Sequence, residues 1–238
     1  LSAKFGLEHF IHPFSEKLVE ENQVRNYKDQ ETYAFTEWDY YFNKSLVLRS
    51  GLRAGISTVS DQKWLDPRAS LAYQLGDKGQ LSFAAGKFHQ LPLENYRVIN
   101  TNLQNSESDH LILNYLFSKE GFTFRAETFY KSYDGLVTFE GSETAPINLE
   151  NGGSGYAKGV DFFFRDRKTF KETDYWITYS FVDSKRSFNQ FQTRVQPSFA
   201  PKHNLSVVVK HFFVNLKSQL GMSFSYNDGY TYSDPNVD

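Results

Sequence analysis

The chain has 238 residues, a net charge of −2 and no cysteine, which excludes disulfides and thiolate metal sites and offers no basic stripe for nucleic acid. Aromatic residues reach 17% and charged residues 23%, at a mean hydropathy of −0.55, so apolar and polar side chains are interleaved rather than segregated. No run approaches the roughly 18 apolar residues of a spanning helix, which excludes a helical membrane protein but not a barrel, whose strands need only about 9 to 11 residues.

Alternation of apolar and polar residues, bounded by turn residues, predicts about eleven strands in chain order. They are placed at Ser2 to His12, Thr32 to Phe42, Leu46 to Thr58, Arg68 to Leu75, Gln80 to His89, Ser108 to Phe117, Phe122 to Lys131, Ala157 to Arg165, Thr173 to Val182, His203 to Phe213 and Ser218 to Tyr226. The first segment already alternates at Leu1 to Phe5 and lacks the regions of a signal peptide, so Leu1 is expected to lie inside a domain. No amphipathic helix competes with these strands.

Parity assigns each strand two faces, because successive strand side chains point to opposite sides. On the third strand Leu46, Leu48, Leu52, Ala54 and Ile56 oppose Val47, Arg49, Gly51, Arg53 and Gly55. On the seventh, Phe122, Phe124, Ala126, Thr128 and Tyr130 oppose Thr123, Arg125, Glu127 and Phe129. An apolar outside with a charged inside, and Tyr and Phe at strand ends, is the pattern of a membrane barrel.

The links alternate too. Those after even-numbered strands are short and polar, as in Asn43 to Ser45, Gly76 to Gly79 and Ser118 to Gly121. Those after odd-numbered strands are mostly long: Pro13 to Glu31, Val59 to Pro67, Gln90 to Glu107, Ser132 to Tyr156 and Asp183 to Lys202. Two chemically different ends, tight turns at one and long loops at the other, fit an outer-membrane barrel. A soluble β-sandwich, lipocalin-like barrel or sugar-binding β domain also alternates and also has hairpins.

Three stretches resemble the barrel of TonB-dependent outer-membrane receptors, especially the Bacteroidetes type. The first runs from Leu65-Asp66-Pro67-Arg68 through Tyr73 to Leu75, followed by Gly86-Lys87-Phe88-His89-Gln90-Leu91-Pro92. The second joins Ala126 to Leu136 with Asn151 to Asp161, and the third pairs His203-Asn204-Leu205-Ser206-Val207 with Asn227 to Asn236. Gly152, Gly153, Gly155 and Gly159 would suit a loop re-entering a barrel wall, where positive φ or close backbone approach is needed.

The resemblance implies a barrel of about 22 strands with a plugged lumen, of which residues 1–238 would be one C-terminal part. Plug domain, signal peptide and final strand or strands are then expected outside this chain, and its sheet edges are expected to be covered by the rest of the barrel or by another copy. The partners implied are the chain's own plug and remaining strands, TonB acting through the plug, outer-membrane lipid, and a small-molecule or metal-chelate substrate. The function implied is import of a scarce nutrient, ferric siderophore or iron foremost, across the bacterial outer membrane. The alternative is a soluble β-rich ligand-binding or adhesion domain.

Arg49, Arg53, Arg68, Arg125, Glu127, Asp161 and Arg165 fall on lumen-facing parity, where they form a solvated network or contact a plug or substrate path. The carboxylates Glu127 and Asp161 invite comparison with a glycosidase pair, but no catalytic motif supports an enzyme and none is expected. No cofactor motif or metal-ligand spacing is present; His9 and His12 point to opposite faces of their strand. Ligand contacts are expected in the long loops, with Tyr96, Arg97, Asn100, Asn102, Tyr133, Tyr156, Phe188 and Tyr230 as candidates.

Overall fold

The structure, a computed structural model, describes residues 1–18 and 23–229. Twelve strands form one antiparallel sheet: β1 (Ser2–Leu18), β2 (Gln23–Tyr41), β3 (Leu46–Ser57), β4 (Lys63–Leu75), β5 (Gly79–Gln90), β6 (Ser106–Lys119), β7 (Phe122–Ser142), β8 (Ala145–Asp166), β9 (Thr173–Phe188), β10 (Phe191–Val195), β11 (His203–Phe213) and β12 (Ser218–Asn227). Consecutive strands neighbour one another throughout, except that short β10 folds back on β9 and leaves β11 to continue the sheet. The one helix among the described residues is the single turn α1 (Glu94–Arg97).

Local chemistry sets the tight end. The Asn43 side chain accepts the Ser45 N–H at 2.8 Å in the β2–β3 turn. At the β8–β9 turn Asp166 accepts the N–H groups of Lys168 and Thr169 at 2.7 and 2.9 Å. Gly121, between β6 and β7, has φ +76°, a conformation that costs an L residue energy and a glycine almost nothing.

Register aligns the apolar parity of every strand. One row runs Tyr40–Leu48–Leu71–Phe83–Leu113–Thr128–Val160–Phe181 across eight strands. A second runs Leu46–Tyr73–Leu81–Tyr115–Ala126–Phe162–Tyr179–Leu205–Tyr226 across nine. The opposite face carries Ser82–Asn114–Glu127–Asp161–Ser180–Asn204. A one-residue slip anywhere would swap these faces, so the hydrophobic pattern itself fixes the register.

Three expected long loops are instead largely strand. The segment Pro13 to Glu31 is the far half of the β1–β2 hairpin, and Ser132 to Tyr156 is that of β7–β8, whose ladder continues to the Ser142–Ala145 pair through three register shifts. Part of Asp183 to Lys202 extends β9 and forms β10, raising the count from eleven to twelve. At roughly 3.3 Å per residue and a tilt near 45°, the 22 residues of β8 reach about 50 Å, twice an apolar band of about 25 Å. Half of that hairpin therefore stands beyond the band.

The described strands do not close. β1 pairs only with β2 and β12 only with β11, and β12 is exposed along its whole length.

Candidate functional site

The apolar face is open rather than packed. Leu71, Tyr73, Phe83, Leu111, Leu113 and Phe162 are each more than 40% exposed, and Phe224 is 58% exposed. Only six hydrophobic residues among those described are buried, and four of them, Tyr96, Leu103, Phe139 and Leu149, form one small cluster away from this face. A soluble sandwich would bury the rows just described between two sheets; here a single sheet presents them as a continuous apolar surface of the kind that meets lipid.

The seven charges assigned to the inside all fall on the polar face. Arg49 donates from Nε to Asp39 at 2.7 Å and lies 3.6 Å from Glu37; Arg53 reaches Glu8 at 2.8 Å and sits 4.2 Å over the Tyr33 ring. Arg165 makes a two-pronged pair with Asp174 at 2.9 and 2.6 Å, the fork geometry that suits guanidinium and carboxylate. Glu127 accepts from Asn114 at 3.0 Å, and Asp161 accepts from the Ser180 hydroxyl. Glu127 and Asp161 stand opposite each other across the β7–β8 ladder, each held by its own neighbour. Arg125 is exposed, and Arg68 lies 5.1 Å over the Phe88 ring. Arg49, Arg53 and Arg68 line a groove of about 400 Å³ together with Phe35, Phe88 and His110.

At the end away from the tight turns, the loops are built as a scaffold. The β5–β6 connection carries α1, whose Arg97 is 4% exposed and pairs with the fully buried Asp29 of β2, with Glu31 3.8 Å away. Asp29 also accepts from the Ser57 hydroxyl at 3.0 Å and from the N–H groups of Thr58 and Val59 at 3.2 Å. Burial alone would raise the Asp29 pKa, but the Ser57 and Val59 hydrogen bonds and the Arg97 guanidinium outweigh it and hold the carboxyl below its ordinary value. Burial likewise pushes the Tyr96 and Tyr27 hydroxyls up, and the Tyr27 ring lies 5.3 Å from the Arg97 guanidinium.

Amides complete the scaffold. Gln62 donates to the Leu103 carbonyl at 2.9 Å and accepts the Asn105 N–H at 2.7 Å. Asn151 of β8 donates to the carbonyls of Gln104 and Gly135, both at 2.8 Å, and accepts the Gln104 N–H at 2.7 Å. The β5–β6 connection thus ties the β1–β2 hairpin and β3–β4 turn at one side to the β7–β8 hairpin at the other.

The loop candidates separate accordingly. Tyr96 packs on Phe139 with ring centroids 5.6 Å apart, so Tyr96 and Arg97 are occupied inside the scaffold. Asn100 donates to the Leu149 carbonyl at 2.9 Å and accepts the N–H of exposed Asn102. Tyr156 has the parity of the apolar face and donates to Asp183 at 3.3 Å. Tyr133 lies under the Arg186 guanidinium at 3.9 Å, and Phe188 packs on Phe191 at 5.7 Å and Phe199 at 6.3 Å. Tyr230 lies outside the described residues. Sequence reasoning missed Asp29 and Arg186, both of which sit on strand extensions without an apolar face.

The four expected loop glycines lie within β8, with negative or extended φ. Close approach is the part of that expectation they meet: a Cβ at Gly159 would stand 2.1 Å from the Phe181 carbonyl oxygen, and one at Gly153 would stand 2.4 Å from that of Ser187.

The family model described as TonB dependent receptor-like, beta-barrel matches residues 10–238. No curated protein matches the sequence. Among solved structures, the FrpB iron transporter from Neisseria meningitidis superposes with a TM-score of 0.71 at 11% identity, over 92% of this chain and 39% of that one. The copper transporter OprC gives 0.68 at 11% identity over 88% and 38%. A mutant of the ferric enterobactin receptor PfeA from Pseudomonas aeruginosa, in complex with enterobactin, gives 0.70 at 11% identity over 94% and 43%. At such identity the likeness is one of fold, and the chain spans about two fifths of the length of these proteins.

Proposed function

Because this chain belongs to the TonB-dependent receptor β-barrel family, whose barrels reside in the bacterial outer membrane, we propose that it forms one arc of the wall of a nutrient importer. The family is one of receptors and not of enzymes, and no step of chemistry is assigned to Glu127 or Asp161. The observation that carries the reading is the pair of rows, apolar at every position but Thr128, on one face of a single sheet, backed by charges on the other. Lipid covers the first face; the second faces a lumen.

In this reading residues 1–238 are a partial barrel domain, and the free edges at β1 and β12 pair with further strands of the same receptor, since exposed edges are otherwise liable to aggregate. A plug fills the lumen, contacts the groove lined by Arg49, Arg53 and Arg68, and carries the segment gripped by TonB. The substrate is a small, scarce compound, with iron and its siderophore chelates favoured because FrpB and PfeA carry iron in their names, although OprC is a copper transporter. The loop scaffold around Arg97 and Asp29 holds the extracellular mouth in shape for capture.

The test is uptake by the intact receptor. A strain lacking the receptor gene should lose growth on a limiting ferric siderophore, regain it with the wild-type gene, and fail to regain it when TonB is also deleted. Growth unaffected by either deletion, across iron, copper and siderophore sources, would contradict import.

A further inference from the structure

Arg186 differs from the arginines that pair with an acid. Arg49, Arg53, Arg97 and Arg165 each hold a carboxylate within 4 Å. Among the described residues Arg186 makes no ion pair, and its Nε is buried without a hydrogen-bond partner; the Arg97 Nε is buried and unpartnered as well, but its guanidinium is neutralised by Asp29. Leaving a guanidinium donor dry costs free energy that a well-placed acceptor would recover.

The sheet builds a place for such an acceptor. Tyr133, Gly155 and Arg186 are directly paired across β7, β8 and β9, all on the polar face. A Cβ at Gly155 would meet the Arg186 Cγ at 2.7 Å, so the missing side chain is what lets the arginine lean across β8 and stack on Tyr133 at 3.9 Å. The Phe199 ring lies 5.4 Å away on the β10–β11 connection, is 63% exposed, and packs with Phe188.

We propose that Arg186 anchors a recognition site for a planar organic anion of the aromatic carboxylate class, with Tyr133 and Phe199 orienting the guanidinium and the Phe188 and Phe199 rings receiving the apolar part. The planar fork of an arginine held against aromatic rings favours an oxyanion that can accept two parallel hydrogen bonds. This rests on the receptor reading and names the substrate class it would favour at the extracellular mouth.

The probe is benzoate, compared with its neutral isostere benzamide, titrated against the complete receptor in detergent by calorimetry or saturation-transfer NMR. The expected result is binding of benzoate at least tenfold tighter than benzamide, reduced to within twofold in R186Q and partly retained in R186K. In F199A, at an exposed ring where folding is least at risk, both probes should weaken about threefold together. No preference for benzoate in the wild type, as when an acid from elsewhere in the receptor already neutralises Arg186, would overturn the proposal; so would an unchanged preference in folded R186Q or unchanged probe affinities in F199A. Import is scored separately: TonB-dependent growth without any benzoate preference sinks this site and leaves the transport reading intact, whereas preference without growth does the reverse.

Discussion

Arg97 and Asp29 lie 68 positions apart in sequence and meet in a buried ion pair, the guanidinium coming from α1 and the carboxylate from the far half of β2. The pair fastens a connection that would otherwise hang free to a hairpin that rises well beyond the apolar band. Removing one partner leaves the other buried and uncompensated, which in proteins costs about 3–5 kcal/mol. Arg97→Ala should therefore loosen the β5–β6 connection while the membrane part of the sheet stays assembled. Limited proteolysis of the intact receptor should show new cleavage within residues 91–105, with unchanged heat-dependent migration of the barrel on gels.

The same pair has a pH dependence of definite sign. The Asp29 carboxyl is held below its ordinary value in the folded state, so its contribution is fully present above the unfolded carboxylate range, near pH 4, and is lost as pH falls through the depressed folded value. Hydrogen exchange of the β5–β6 connection should thus be flat from pH 7 to about 5, once corrected for intrinsic rates, and rise below about 4. Asp29→Asn should abolish that rise and show fast exchange throughout.

Gly159 tests the close packing of β8 against β9. A Cβ there would stand 2.1 Å from a backbone oxygen and 2.8 Å from the Phe129 ring, and backbone cannot step aside as a flexible side chain can. Gly159→Val should block barrel assembly, seen as loss of the heat-modifiable band and of surface-exposed receptor. Gly221→Ala, where the nearest heavy atom is 3.9 Å away, should assemble normally.

Facing is tested by charge insertion. An arginine on the lipid face of a barrel near the bilayer midplane costs about 2–4 kcal/mol, and one in the lumen costs little. Leu113→Arg should destabilise the receptor by that amount in urea unfolding from lipid vesicles, whereas Asn114→Arg, its neighbour on the opposite face, should change stability by less than about 1 kcal/mol.

The parts of the fold that cross the membrane are legible in the sequence because one face there is apolar and the other is not. Leu71, Tyr73 and Leu75 against Ser70 and Gln74 announce a strand, and its partners repeat the signal. That signal vanishes where both faces are wet. Residues 25–31 of β2 alternate Asn26, Lys28 and Gln30 with Arg25, Tyr27, Asp29 and Glu31, polar against mostly polar, so the strand reads as loop although its ladder is continuous. The scaffold is hidden for a related reason: α1 is one turn long, too short for any period, and the Arg97–Asp29 pair depends on a register that the missing strand extension would have supplied. Arg186 is concealed because its partner on the next strand is a glycine, and only the Gly155 row shows why that arginine can reach Tyr133, two strands away.

One face of this sheet meets lipid and the other a lumen, and the absence of cysteine from residues 1–238 makes that facing directly measurable. Single cysteines at Leu71, Phe83 and Leu113, and at their neighbours Ser70, Ser82 and Asn114, would be spin-labelled in the complete receptor reconstituted in lipid. Labels at the first three positions should collide with membrane-dissolved oxygen and not with a water-soluble nickel chelate, while those at the second three should be shielded from oxygen. Equal accessibility of the two sets, or the reverse assignment, would contradict it.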